Sequence, residues 1–151
     1  MEFSRYFTFE ELTDSREHKH MVETNRIHAK TFISSGEKLS QLLQDIREIL
    51  GGKPIKVTSG FRDKFLNAAV GSKAKTSAHM RFEAADIQHS ELSAIEAFYL
   101  IIENKEKLPT LRKVILEQVG TKWLHIEVKT SESDTLAFYT TDDGKTFIKV
   151  G

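Results

Sequence analysis

The stretch that decides the fold of this chain is residues 77–86, which read S-A-H-M-R-F-E-A-A-D. It places His79 and Asp86 seven positions apart at the entrance to a short apolar strand, and a second histidine, His125, follows in W-L-H-I-E. Two imidazoles and one carboxylate are typical of a catalytic zinc site, because three N/O ligands leave one coordination position open. The same donors also suit non-haem iron. Structural zinc sites usually have four protein ligands, often thiolates, and this chain has no cysteine. The pattern therefore favours a metal-dependent hydrolase.

The composition bounds the class of protein. At 151 residues the chain is expected to form a single domain, 1–151, that buries a core without disulfides. Lys plus Arg (22) balance Asp plus Glu (22), so no net field attracts nucleic acid or anionic lipid, and neither partner is expected. No apolar run approaches the length of a membrane span. The opening M-E-F-S-R-Y-F-T-F-E-E-L does not resemble a secretory signal, so a cytoplasmic product is expected.

Four helices are predicted. Thr8 with Glu11 forms a capping box for a short helix near Phe9. Leucine and isoleucine at helical spacing, followed by Gly51-Gly52, predict the best-defined helix over residues 37–50. Residues 63–70 are a candidate short helix, and Ser90 is predicted to cap an amphipathic helix that ends before Pro109. Residues 15–30 are compatible with helix or loop.

Alternating apolar and polar residues predict the strands. They are expected at 55–58, 84–88, 114–119, 123–129, 136–140 and 146–150, with Asp143-Gly144 turning the last hairpin. Residues 71–76, G-S-K-A-K-T, predict an exposed loop before the His79 motif. Strand signals that dominate the last third, together with earlier helices, predict an α+β domain with a mainly antiparallel sheet and helices packed on one side.

The alternation also indicates which side chains face away from the core. Leu124, Ile126 and Val128 share one face of their strand, so Trp123, His125 and Glu127 share the other. Asp86 lies within an apolar strand, where a carboxylate is costly without a partner. That partner can be a metal ion, or it can be Arg62 or Arg81. A histidine beside a strand is also compatible with an ordinary hydrogen-bonded residue.

The motifs resemble a known family. The segments P-I-K-V-T-S-G-F-R, L-N-A-A-V-G, S-A-H-M-R-F-E-A-A-D-I and W-L-H-I-E-V occur in the order and at the intervals found in zinc D-alanyl-D-alanine carboxypeptidases and related peptidoglycan endopeptidases, including phage endolysins. The likeness spans residues 6–128. It implies the small α+β fold shared with the hedgehog signalling domain, one Zn²⁺ per chain, and the peptidoglycan stem peptide as partner. A monomer is expected, and another factor would have to release the protein to the cell wall.

The resemblance also implies roles for individual residues. His79, Asp86 and His125 match the zinc ligands. Arg62 matches an arginine that holds substrate and stabilises the developing oxyanion, a role that suits the directed donors of a guanidinium. Ser77 matches a serine near the substrate. Trp123, beside the last histidine, is a further candidate substrate contact.

The chain departs from the family at two positions. Lys122 stands where the best-known members carry the carboxylate that acts as general base, so Glu117 is the first candidate for that role and Glu127, about 7 Å from His125 along the strand, is the second. Phe82 replaces a glycine between the first histidine and the aspartate, and a rebuilt turn there would displace His79. The predicted function is hydrolysis of a stem-peptide bond, as a carboxypeptidase or an endopeptidase. The alternative is an inactive member that binds the wall or acts structurally.

Overall fold

A computed structural model of the chain describes residues 2–72 and 76–151. Of the predicted loop at 71–76, residues 73–75 lie outside the described residues, while Gly71 and Thr76 are exposed. Within the described residues, no helix has both the length and the apolar character needed to cross a membrane.

The helices occupy the first two thirds of the described chain. The α-helices are α1 (Phe9–Leu12), α2 (Val22–Ala29), α3 (Ile33–Ile49), α4 (Lys64–Ala69) and α5 (Ala94–Glu103). Short 3₁₀ turns lie at Lys19–Met21, Lys30–Phe32, Ala78–Arg81 and Lys105–Lys107. The segment 15–30, which the sequence leaves open, is therefore mainly helical. It runs through a 3₁₀ turn directly into α3, and α3 begins four residues before the predicted start at 37.

Helix capping was predicted correctly at one end and wrongly at another. The Thr8 hydroxyl accepts a hydrogen bond from the Glu11 amide, as the capping box predicts for α1. The prediction of Ser90 as the cap of α5 is wrong: Ser93 caps it, and Ser93 and Glu96 exchange both bonds of a capping box. Ser90 instead directly follows the strand Ala84–His89, and its amide donates to the carbonyl of Pro54.

One mixed sheet joins the strands of the described chain. The strands are β1 (Ile55–Ser59), β2 (Ala84–His89), β3 (Leu111–Val119), β4 (Thr121–Val128), β5 (Ala137–Thr141) and β6 (Ile148–Val150). Their order is β1-β2-β4-β3-β5-β6, and every neighbouring pair is antiparallel except β3 with β5. The predicted α+β fold with a mainly antiparallel sheet is therefore confirmed.

The two faces of β4 have different environments. Leu124, Ile126 and Val128 lie in the hydrophobic core, together with the buried side chains of α3 and α5 that contact this strand. His125 and Glu127 are also buried, but they contact polar groups on the opposite face. The sheet therefore separates the apolar core from a polar site, as the alternation in the sequence predicts.

Candidate metal centre

His79, Asp86 and His125 converge on one point. Asp86 in β2 stands directly opposite His125 in β4, and the 3₁₀ turn before β2 carries His79 over both. Asp86 Oδ1 lies 3.1 Å from His125 Nδ1 and 3.4 Å from His79 Nε2. One ligand atom from each residue lies within 4.8 Å of the other two. In the described part of the chain, this trio is the group of histidine and carboxylate side chains placed to hold a metal ion.

Backbone contacts hold His79 in this position. Its Nδ1 lies 2.8 Å from the carbonyl oxygen of Gly60, which can only accept, so Nδ1 carries the proton and Nε2 presents a free lone pair to the cluster. The Ser77 hydroxyl accepts from the His79 amide at 3.2 Å and caps the turn. The His79 carbonyl accepts from the Arg62 amide at 3.0 Å. A backbone hydrogen bond therefore joins the loop that carries Arg62 to the turn that carries His79.

The turn accommodates Phe82 without displacing His79. Phe82 adopts a left-handed conformation with φ of +59°, which L-residues enter at a cost of about 1–2 kcal/mol. Its ring is fully buried and packs against Phe61, with ring centroids 5.4 Å apart, and against Phe3 and Phe9. Burying such a side chain contributes about 1.5–3 kcal/mol, which offsets the backbone strain. The expected displacement of His79 does not occur, because the aromatic cluster anchors the turn.

Burial and the charges within the trio shift the pKa values of its three side chains. Burial raises the pKa of the Asp86 carboxyl, but the two imidazoles outweigh it and hold that pKa well below its ordinary value. Burial lowers the pKa of His79, and this effect exceeds the opposing attraction of Asp86. Burial also lowers the pKa of His125, but hydrogen bonds to Asp86 and Glu127 outweigh it and raise that pKa to about 9. The two imidazoles thus favour the ionised form of Asp86, which lies between them.

Glu117 and Trp123 lie beside the trio on paired positions of β3 and β4. The indole Nε1 of Trp123 donates to Glu117 Oε2 at 3.1 Å and fixes the direction of the carboxylate. Burial and the Asp86 charge raise the pKa of Glu117, against the opposing influence of His125, Trp123 and Arg62. A carboxylate with a raised pKa near a candidate metal centre is suited to accept and return a proton.

Arg62 is partly withdrawn from solvent. Burial lowers the pKa of its guanidinium, although the charges of Asp86 and Glu117 act in the opposite direction. Its Nη1 donates to Ser59 Oγ at 3.2 Å, while its buried Nε has no hydrogen-bond partner among the described residues. Arg62 lines a cleft of about 420 Å³ whose walls also include Arg16 and Lys56. The guanidinium therefore lies at the wall of an open cleft, with its buried Nε unpaired within the described part of the chain.

Lys122 and Glu127 are poorly placed for proton transfer. Lys122 is exposed, and alternation along β4 puts it on the face opposite His125. Both oxygens of Glu127 are engaged: Oε2 lies 2.7 Å from His125 Nε2, and Oε1 accepts from Arg112 at 3.1 Å. Arg112 and Glu83, a second carboxylate that it contacts, were not predicted from the sequence. The available signal was weak, because these residues come from a different strand and turn and carry no motif of their own.

The fold and this trio define the class as an α+β protein with a histidine–aspartate–histidine cluster placed to hold a metal ion. The chain belongs to the peptidase M15 family, whose sequence model matches residues 5–127. This span contains all three members of the trio, as well as Arg62 and Glu117, and it confirms the resemblance carried by the motifs. The family is one of metallopeptidases. Among curated protein sequences, none matches the chain.

Proposed function

We propose that the protein is a zinc peptidase that hydrolyses a peptide bond in the stem peptide of peptidoglycan. The observation that carries this proposal is the convergence of His79, Asp86 and His125 beside Glu117 and Arg62, in a chain of a metallopeptidase family. The substrate class is supported by the resemblance of the motifs to zinc D-alanyl-D-alanine carboxypeptidases and peptidoglycan endopeptidases. Among the described residues, the walls of the cleft include Arg62 but neither the trio nor Glu117, so this cleft is proposed to hold a part of the peptide beside the scissile bond.

The donor set fits zinc. His79 Nε2 has a free lone pair, the Asp86 carboxyl is held ionised, and His125 directs Nδ1 at the same point. A zinc ion bound by these residues would polarise the scissile carbonyl and lower the pKa of a water molecule. Two imidazoles and one carboxylate leave room for substrate in the coordination sphere, which is the arrangement of a catalytic centre.

Glu117 is the proposed general base. It takes the proton of the attacking water and returns it to the leaving amine, so no net proton is consumed by the carboxylate. Its raised pKa favours this exchange, and the Trp123 indole keeps one oxygen aligned. Glu127 is the weaker candidate because His125 and Arg112 engage its oxygens.

Arg62 is the proposed anchor for negative charge. Its guanidinium lines the cleft and can meet a substrate carboxylate or the oxyanion that develops at the scissile carbonyl. Ser77 and Trp123 are proposed to contact the peptide as well as to hold His79 and Glu117 in place.

The test is the hydrolysis of purified stem peptides, with and without a terminal D-Ala-D-Ala, by wild type, Glu117→Gln and the exposed control Glu132→Gln. We expect Glu117→Gln to retain one zinc per chain and to lose a factor of about 10²–10⁴ in kcat. Cleavage of only the free carboxyl terminus would identify a carboxypeptidase, and cleavage within longer stem peptides would identify an endopeptidase. Equal activity of Glu117→Gln and wild type would overturn the base assignment.

Lys122 favours a second candidate function, a family member that binds wall fragments without cleaving them, because it stands where the resemblance expects the base. The same assay separates the two candidates. A wild-type protein that holds zinc and binds stem peptides but leaves every bond intact would replace the peptidase proposal with the binding one.

A further inference from the structure

The two ring nitrogens of His125 face different carboxylates. Nδ1 lies 3.1 Å from Asp86 Oδ1, an oxygen that is also 3.4 Å from His79 Nε2. Nε2 lies 2.7 Å from Glu127 Oε2, away from the trio. An ionised carboxylate only accepts hydrogen bonds, so Glu127 favours a proton on Nε2 and Asp86 favours one on Nδ1. A metal ion bound at Nδ1 would take the place of the proton there and leave Glu127 holding the proton on Nε2.

A cation from the neighbouring strand fixes Glu127. Arg112 Nε donates to Glu127 Oε1 at 3.1 Å, and both side chains are largely buried. Leu111 pairs with Val128 and Lys113 pairs with Glu127, so Arg112 is an extra residue in β3 at an irregularity in the register. Such a bulge changes the direction of a side chain. Regular alternation after Leu111 would put Arg112 on the polar face and Lys113 on the core face. The bulge brings both side chains to Glu127.

Arg112 also reaches the segment that carries His79. Its Nη1 donates to Glu83 Oε1 at 2.9 Å, and Glu83 follows Phe82 directly after the 3₁₀ turn. Arg81 Nε donates to the other oxygen of Glu83 at 3.3 Å. We call Glu83, Arg112 and Glu127 the arginine brace. It connects Glu127, which contacts His125, with Glu83, which follows the turn that carries His79. None of its members belongs to the trio itself.

We propose that Glu127 is a positioning residue that selects the proton-bearing nitrogen of His125 and aims Nδ1 at the metal, and that Arg112 holds Glu127 in that role. This inference rests on the proposed function, since it takes His125 as a metal ligand. Carboxylates that accept from the far nitrogen of a ligating histidine typically strengthen metal binding by roughly 10–100-fold. Glu127 thereby acts through His125 and takes no part in proton transfer to substrate.

The experiment measures zinc affinity directly, by competition with a chromophoric chelator, and needs no substrate. We expect Glu127→Gln to bind zinc roughly 10–100-fold more weakly than wild type and Arg112→Met to show a smaller loss in the same direction. Lys113→Met is the matched control, because Lys113 approaches the same Glu127 oxygen only at 3.9 Å from a more exposed position. Its zinc affinity is expected to stay within about threefold of wild type.

A second readout separates positioning from general destabilisation. In ¹⁵N spectra of the zinc-loaded protein, His125 is expected to carry its proton on Nε2 in wild type and to lose that proton's protection from exchange in Glu127→Gln. If Glu127→Gln does not fold, the double variant Arg112→Met/Glu127→Gln removes both charges together and is expected to show the same weakened binding. Wild-type zinc affinity in the folded Glu127→Gln or double variant would overturn the inference.

The control variant His125→Ala distinguishes the two proposals. If it abolishes zinc binding while Glu127→Gln leaves binding intact, the metal site stands and the positioning role fails. If His125→Ala itself binds zinc as tightly as wild type, the assignment of the metal ligands fails, and with it the proposed function.

Discussion

The ring of Phe82 lies directly on the backbone of Gly36 in α3: a Cβ added to Gly36 would come within 2.6 Å of the Phe82 ring. Glycine within a helix is otherwise unfavourable by about 1 kcal/mol relative to alanine. Its presence here leaves space for the aromatic ring that anchors the His79 turn.

Replacing Gly36 with alanine tests this packing. Despite the better helix propensity of alanine, Gly36→Ala is expected to lower the free energy of unfolding by about 1–3 kcal/mol, because the ring must move in a packed core. Urea denaturation measures this, with the exposed Ser34→Ala in the same helix as control. A Gly36→Ala protein as stable as the control would show that the ring shifts freely.

Two substitutions of Phe82 separate packing from backbone strain. Phe82→Ala is expected to lower the free energy of unfolding by about 3–5 kcal/mol through loss of the buried ring. Phe82→Gly loses the same contacts but relieves the positive φ, so it should be more stable than Phe82→Ala by about 1 kcal/mol. Denaturation of the pair checks the order. The reverse order would mean that the backbone at this position is not left-handed.

The capping box of α5 can be tested by comparing Ser93 with Ser90, the cap predicted from the sequence. Ser93→Ala removes the acceptor for the Glu96 amide and is expected to cost about 1 kcal/mol of stability. Ser90→Ala should stay within about 0.5 kcal/mol of wild type, since Ser90 contributes only its backbone amide to the fold. Equal losses in thermal denaturation of the two variants would contradict this assignment.

Zinc is expected to raise the thermal stability through the trio. At a free zinc concentration of about 100 times Kd, the stabilisation is about 2.7 kcal/mol, which corresponds to an increase in Tm of about 5–10 °C for a chain of this size. His79→Ala should show almost none of this increase, and a chelator should abolish it in wild type. An equal increase in His79→Ala would place the zinc elsewhere.

Arg62 is expected to contribute more to catalytic activity than to the free energy of unfolding. Arg62→Met should lower kcat/KM by about 10²–10³ through loss of a donor to the developing charge. The free energy of unfolding should change by less than about 1 kcal/mol, because removal of the partly buried cation offsets the lost attraction to Asp86 and Glu117. Arg5→Met, an exposed position that does not line this cleft, is the control and should retain wild-type kcat/KM.

Local rules account for the parts of the fold that the sequence predicted well. The capping of α1 by Thr8 and the two faces of β4 were correct because each depends on residues within a few positions of one another. The predictions for the start of α3 and the cap of α5 were wrong because the local rule does not select a single residue there. Several nearby serines and polar residues satisfy the same local rule, and contacts with distant segments choose among them.

The amino-acid sequence by itself determined the residue types of the metal centre, their order along the chain, and the polar face on which His125 stands, because these follow from motif and alternation. Only the tertiary structure decided that Asp86 faces His125 and that Gly36 makes room for Phe82. It also decided that Arg112, at a bulge in β3, contacts both Glu83 and Glu127. Strand register and packing join residues tens of positions apart. Their free energies depend on the whole arrangement and are not encoded in any one stretch.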